Sequence, residues 1–304
     1  MAEPPTITEG IEALRRRFDV RVEPANQPVF LLSAGWRSGS TLVQRLLVSG
    51  GDLLMWGEPY DHCGLIRSLA DTMRPFAEPW PPGKPRGEWP PVGYIVDPKS
   101  PPSGRRWIAN AYPHPNDLVA SQRAMLDRLF AVPAAAAGFD RWGVKAVRLD
   151  GEHGGYLQLL YPDARFVFLH RNPWDAWSSY RRRHHERPSA YWWFHRWPDE
   201  QVATAEHFAR LWAKAAGSYL EWAPRLGAAL VAYEAVVTGE ALAELSEAAG
   251  VPVKKKVLRK RLGGALTDGS RDWRIDEDDV AAVADAAGSV AARLGYTGPT
   301  GAGR

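Results

Sequence analysis

The chain has 304 residues, 45% of them hydrophobic and 24% charged. That is enough to bury a core without covalent staples, and it excludes a disordered or collagen-like chain. One cysteine, Cys63, excludes a disulfide framework and a multi-thiolate zinc site. A formal charge of +3 suits an anionic ligand but falls short of a nucleic-acid binder's signature.

The N-terminus, Met1 to Glu12, is acidic and Pro-containing, with no signal-peptide apolar core. No apolar run reaches the roughly 18 residues of a membrane helix. The expected setting is the cytosol, bacterial on the Ala-, Arg- and Gly-rich composition. Val29 to Ser33 is continuously apolar up to its last residue and reads as a buried parallel strand. A loop from Ala34 to Ser38 follows. Gly39 to Val48 then reads as a helix, with Leu42, Leu46 and Leu47 on one face. A second strand is expected at Leu53 to Trp56, ending in Gly57-Glu58-Pro59.

Residues 75–115 carry 12 prolines among 41 residues, with Trp80, Trp89 and Trp107 interspersed. Regular structure is not expected there. The segment reads either as a surface insertion or as a lid over an acceptor. Helix is expected again near Asn116 to Phe130, then strand near Trp142 to Val147, a short helix at Gly155 to Leu160 and a strand at Arg165 to His170. Asn172, Pro173 and Asp175 suit the cap, first and third positions of the next helix. A long helix over Gln201 to Trp222 and a strand at Ala229 to Tyr233 follow. Helices around Gly239 to Ala249 and Asp278 to Leu294 complete the pattern. The alternation predicts an α/β fold, a mostly parallel central sheet flanked by helices in three layers, in one domain over residues 1–304.

Two places are suited to anions. Ser33-Ala34-Gly35-Trp36-Arg37-Ser38-Gly39-Ser40-Thr41 has the shape of a P-loop but lacks its Gly-Lys-Ser/Thr ending. Backbone N–H groups of Ser38 to Thr41 can face an anion at the helix start. Arg37 can add forked, charge-assisted bonds, and Ser40 and Thr41 add hydroxyls. In the second place, Arg171 ends a strand at the sheet's carboxyl edge. Ser179 lies two turns into the following helix, and Arg183 one turn beyond it on the same face. These three can converge on a second phosphate. Read alone, that helix end could equally be solvated and basic, with Arg181, Arg182 and Arg183 complementing the helix dipole.

Together the two motifs, Ser-x-Gly-x-Arg-Ser-Gly-Ser-Thr and Arg-Asn-Pro-x-Asp-x-x-x-Ser, resemble the PAPS-dependent sulfotransferase superfamily, whose donor is 3′-phosphoadenosine 5′-phosphosulfate. The layout is most similar to tyrosylprotein- and carbohydrate-type members and covers roughly residues 28–250, including Val231-Ala232-Tyr233-Glu234. The resemblance implies a P-loop-like fold. It implies that Arg37, Ser38, Gly39, Ser40 and Thr41 hold the 5′-phosphosulfate, that Arg171 and Ser179 hold the 3′-phosphate, and that Tyr233 and Arg183 touch the nucleotide. PAPS as donor, PAP as product and no required metal follow from it. Arg259 to Gly264, near Trp273, is a loose match to the segment that family members bring over the nucleotide.

Sulfuryl transfer, like phosphoryl transfer, asks the protein mainly to align the reactants and stabilise charge on the leaving phosphate. Arg37 and the loop amides suit that task. Glu58 is the candidate base for an acceptor hydroxyl, or less often an amine. It follows the second strand, and the resemblance places a glutamate there. His62 is the fallback base, and His114 and His153 lack positional support. Lys145 lies inside a strand, so it needs an anionic partner. It reads as a transition-state contact or as half of a structural ion pair, with Arg148 a weaker candidate for the contact. Tyr191 to Trp197 could pack a satellite core or line the acceptor pocket. Lys254 to Lys256 reads as a solvated face, and Cys63 as a packing residue. The acceptor stays open among small molecules, glycans and peptides, with no nucleic acid and no membrane span expected, and nothing selects an oligomeric state. Two other readings remain: a P-loop kinase or NTPase, disfavoured by the missing Gly-Lys and Walker-B carboxylate, and a nucleotide-binding module without catalysis.

Overall fold

A computed structural model describes residues 3–22, 27–59, 64–77, 113–186, 196–197, 200–259 and 275–300. Helix α1 (Ile7–Arg17) occupies a stretch where composition alone suggests no element. Thr6 and Glu9 form a reciprocal capping box, and Ile7, Ile11 and Leu14 bury one face. Strand β1 (Val29–Ser33) is buried throughout, as its apolar run predicts. Helix α2 (Ser40–Leu47) follows, then strand β2 (Leu53–Gly57) and helix α3 (Leu65–Asp71).

Helix α4 (Pro115–Leu126) runs through a π-turn at Asp127–Ala131 into α5 (Val132–Ala136). It is longer than the expected helix near Asn116 to Phe130. Pro133 has no N–H to give the preceding turn, and the widened turn carries the chain past it. Strand β3 (Arg141–Ala146), helix α6 (Gly151–Leu160), strand β4 (Arg165–His170) and helix α7 (Pro173–Glu186) come next. Helix α6 starts four residues before the expected helix because Asp150 caps it.

Strands β5 (Arg196–Trp197) and β6 (Glu200–Gln201) form a small antiparallel ribbon. Gln201 therefore belongs to a strand, and the long helix α8 (Ala205–Leu226) starts after the Thr204 cap. Strand β7 (Ala229–Ala232) ends one residue before Tyr233, which instead opens helix α9 (Tyr233–Thr238). Helix α10 (Leu242–Ala249) is separate from α9, and α11 (Glu277–Arg293) ends the set. The segments 78–112, 187–195 and 260–274, with most of the Pro/Trp-rich insertion, the Tyr191–His195 aromatics, Lys260 to Gly264 and Trp273, lie outside the described residues. So do His62 and Cys63.

The main sheet is parallel, in the order β2-β3-β1-β4-β7. Alternation along the strands builds two cores. Val29, Leu31, Val167 and Leu169 pack with Val43, Leu46, Val236 and Leu245 on the α2, α9 and α10 side. Phe30, Leu32, Phe166 and Phe168 pack on the opposite side with α1, α4, α6 and α8, through residues such as Leu14, Leu126, Tyr156 and Tyr219. From β1 the chain crosses to the β2 edge, returns to β3 and then jumps over β1 to β4. The carboxyl ends of β1 and β4 therefore flank the point where the connections diverge, the place where parallel sheets open a ligand crevice.

Candidate functional site

The loop between β1 and α2 is shaped by its own small side chains. Ser33 and Ser38 share a hydroxyl hydrogen bond, and Ser38 Oγ donates to the Gly35 carbonyl at 3.0 Å. Both serines are fully buried. Ser38 therefore spends its side chain on folding the loop, and only its backbone N–H is left for a ligand. Gly35 (φ 78°), Arg37 (φ 64°) and Gly39 (φ 88°) all take the left-handed backbone that curls the loop. Gly39 caps α2 without a side-chain hydrogen bond. The first N–H groups of the helix and its positive dipole end thus open towards the loop. The Arg37 side chain is exposed, as is Thr41, while Ser40 is buried.

The second motif meets the first here. Asn172 caps α7, its Oδ1 accepting from Trp174 N at 3.0 Å and Asp175 N at 3.3 Å. Ser179 is buried on α7, and its hydroxyl accepts from Arg37 Nε at 3.1 Å. Arg171 donates from Nη1 to the Arg37 carbonyl at 2.8 Å. Its guanidinium lies over the Tyr233 ring, 4.6 Å from the centroid. The same ring packs on Gly39 so closely that an added Cβ would sit 2.1 Å from Tyr233 Cδ2. Arg37, Gly39, Arg171, Ser179 and Tyr233 are thus one constellation. Arg171 Nε is buried and has no hydrogen-bond partner among the described residues, an unused donor on a guanidinium held between the Arg37 carbonyl and the Tyr233 ring. With the open helix start, this fits a phosphate-bearing ligand. The side chain of Arg183 lies outside the described residues. Arg181 does more than complement the helix dipole: it pairs with Asp276 and Asp279 at the start of α11.

Glu58 continues the sheet, its N–H donating to the Lys145 carbonyl at 2.8 Å, and it adopts the left-handed region at φ 47°. Its carboxylate pairs with Lys145, whose side chain is 8% exposed against 24% for Glu58. The buried strand lysine therefore has the anionic partner that burial demands. Arg148 lies over Trp36 of the β1–α2 loop, 5.3 Å from the ring centroid. His114 caps α4, and His153 completes the Asp150 capping box. Both histidines have structural work in their own helices. Asp150 is held down to about 2: burial opposes this, but His153 and its hydrogen bonds outweigh it. Lys254 to Lys256 are exposed, as a solvated face should be.

Sequence reading missed a third layer. Trp212 Nε1 donates to the Arg171 carbonyl at 3.1 Å. Glu234 Oε1 accepts from Asn172 N at 3.0 Å, and its Oε2 accepts from the Tyr296 hydroxyl at 2.8 Å. His170 Nδ1 lies 2.9 Å from the same hydroxyl. Asn172 Nδ2 donates to Gly298 O at 2.8 Å. Only Glu234 carried a local signal, its place beside Tyr233. Among the described residues no cluster of His, Cys, Asp and Glu could hold a metal ion, and no helix is long and apolar enough to cross a membrane.

Residues 28–254 match the model of a sulfotransferase family. No curated protein sequence matches the chain. Similar solved structures include the sulfotransferase domain of the Synechococcus PCC 7002 olefin synthase, at 17% identity and TM-score 0.41, covering 82% of this chain and 81% of that one. A sulfotransferase from Alicyclobacillus acidocaldarius aligns at 13% identity and TM-score 0.43, over 90% and 97% of the two chains. Sulfotransferase STF9 from Mycobacterium avium aligns at 14% and 0.41, over 83% and 73%.

Proposed function

The chain belongs to the sulfotransferase family, and from that premise we propose that it transfers a sulfuryl group from PAPS to an acceptor hydroxyl, with Glu58 as general base. When bound, PAPS supplies an activated sulfuryl group on a phosphate leaving group. The observation that carries the reading is the convergence of Arg37, Arg171, Ser179 and Tyr233 beside the uncapped start of α2.

In this reading the N–H groups of Ser38 to Thr41 and the Arg37 guanidinium bind the 5′-phosphosulfate and stabilise charge as it develops on the leaving phosphate. Arg171 and Ser179 hold the 3′-phosphate, with Arg183 one turn further along α7 as an added contact. Tyr233 supports the Arg171 guanidinium from below. Glu58 accepts the acceptor's proton. Lys145, paired with Glu58, keeps that carboxylate at the carboxyl end of β2 and β3 and offers positive charge to the transferring group. The acceptor is a small molecule, a glycan or a peptide side chain.

Thermal unfolding with PAP, and separately with ATP and magnesium, each with and without EDTA, tests the donor. A ligand at about 100 times its dissociation constant adds roughly 2.7 kcal/mol of stability. An EDTA-insensitive rise with PAP is expected. A rise only with ATP and magnesium would replace this reading with a kinase or NTPase.

A further inference from the structure

The peptide unit joining Arg171 to Asn172 is gripped at both ends by side chains from two other elements. Its carbonyl accepts from Trp212 Nε1 at 3.1 Å, and its N–H donates to Glu234 Oε1 at 3.0 Å. Glu234 is itself held, since its Oε2 accepts from the Tyr296 hydroxyl at 2.8 Å. That hydroxyl has one proton and gives it to the carboxylate, so the 2.9 Å contact to His170 is Nδ1–H donating to Tyr296 Oη. Asn172 adds a bond from Nδ2 to Gly298 O at 2.8 Å. Past α11 the chain thus returns through Tyr296 and Gly298 to lock the turn that carries Arg171. The residue before Glu234 is Tyr233, whose ring lies under the Arg171 guanidinium. One dipeptide therefore fixes both the backbone and the head of this arginine.

We infer that Glu234, backed by Tyr296, is a positioning residue that aims Arg171 at the nucleotide's 3′-phosphate. The inference rests on the donor reading above. Arg171 carries a long, rotamer-rich side chain, and aiming it in advance removes an ordering cost otherwise met on binding. A guanidinium displaced by even an ångström loses a charge-assisted bond to a phosphate oxygen. A merely structural role for Glu234 would weaken every nucleotide alike. A positioning role weakens only those bearing the 3′-phosphate.

The test is calorimetric binding of PAP and of 5′-AMP, which lacks the 3′-phosphate, to the parent and to Arg171→Ala, Glu234→Ala, Glu234→Gln and the double Arg171→Ala/Glu234→Ala variant. Glu234→Ala is expected to lower PAP affinity about tenfold, the scale of one hydrogen bond to a charged group, and to leave 5′-AMP unchanged. It should add almost nothing in the Arg171→Ala background. Glu234→Gln keeps an oxygen for Asn172 N–H and should restore most of the affinity. Tyr296→Phe keeps the peptide grip and frees one carboxylate oxygen. It should give a smaller loss, again confined to PAP, and it carries the same comparison if Glu234→Ala does not fold. Equal losses for PAP and 5′-AMP, or full additivity with Arg171→Ala, would overturn the positioning role alone. A parent with no preference for PAP over 5′-AMP would overturn the donor reading and the positioning role with it.

Discussion

Arg37 donates through Nε to the hydroxyl of Ser179 at 3.1 Å, across a separation of 142 residues. The two anion motifs are therefore two sides of one site. With its oxygen accepting from Arg37, the Ser179 hydroxyl keeps its proton for a phosphate oxygen. It orients the arginine of one motif and, in the proposed reading, serves the ligand of the other.

Ser179→Ala should accordingly weaken PAP by about 1.5–3 kcal/mol, the range for a hydrogen bond to a charged group. Because the side chain is small and makes no other described hydrogen bond, unfolding stability should change by less than about 1 kcal/mol. Calorimetry and urea denaturation measure the two numbers. Undiminished PAP affinity would remove Ser179 from the donor site.

Glu58 and Lys145 form a partly buried ion pair at the carboxyl ends of β2 and β3. Glu58→Gln keeps the shape and an oxygen for the lysine but cannot take a proton. With Glu58 as base, kcat should fall by about 10²–10⁴-fold, while PAP binding stays within about threefold. The check is a turnover assay beside calorimetry on the same preparation. Full turnover would move the base elsewhere, with His62 the next residue to change.

The parallel sheet and the anion loop were legible in the sequence because both are local. Val29 to Leu32 and Phe166 to Leu169 are unbroken apolar runs, and Gly35 to Thr41 supplies its own turn glycines. The Asn172 cap was legible for the same reason. Helix α1 was obscured by Pro4, Pro5 and the acidic residues around its cap. Tyr233 was assigned to the strand because the apolar pattern of β7 continues into it, although helical hydrogen bonding begins there. The grip of Trp212, Glu234 and Gly298 on Arg171-Asn172 had no local signal beyond the place of Glu234 beside Tyr233. It joins residues 41, 62 and 126 positions apart, and only the folded chain brings them together.

His170 bears on the pH dependence of stability. Burial pulls its pKa from 6.5 down to about 4. Its ring bonds the Tyr296 hydroxyl, and the Glu234 carboxylate and the Arg171 charge act on that same hydroxyl. The unfolded chain takes up the proton below about pH 6.5, whereas the folded chain resists until about pH 4. The neutral ring therefore contributes its full stability above pH 6.5. That contribution falls as pH drops, by about 2 kcal/mol between pH 7.5 and pH 5. Urea midpoints at pH 7.5, 6 and 5 should show this slope in the parent. His170→Gln, which still offers an N–H to Tyr296, should flatten it. An equal slope in both proteins would assign the titration to another group.

Gly39 and Gly35 allow the Tyr233 contact to be separated from backbone strain. Both lie at positive φ, 88° and 78°, so alanine at either position meets the left-handed penalty of about 1–2 kcal/mol. At Gly35 an added Cβ meets nothing within 4 Å. At Gly39 it would lie 2.1 Å from Tyr233 Cδ2 and 2.4 Å from Cε2, so the ring must leave. With the ring goes the surface under the Arg171 guanidinium. Gly35→Ala is expected to lose stability with PAP affinity within about threefold of the parent. Gly39→Ala should lose at least as much stability and, in addition, at least about tenfold in PAP affinity, the scale of a cation–π contact with a charge-assisted bond. Denaturation and calorimetry on the two variants side by side decide the point. Equal PAP affinities in the pair would mean that Tyr233 only fills space beside the loop and does not hold Arg171 in place.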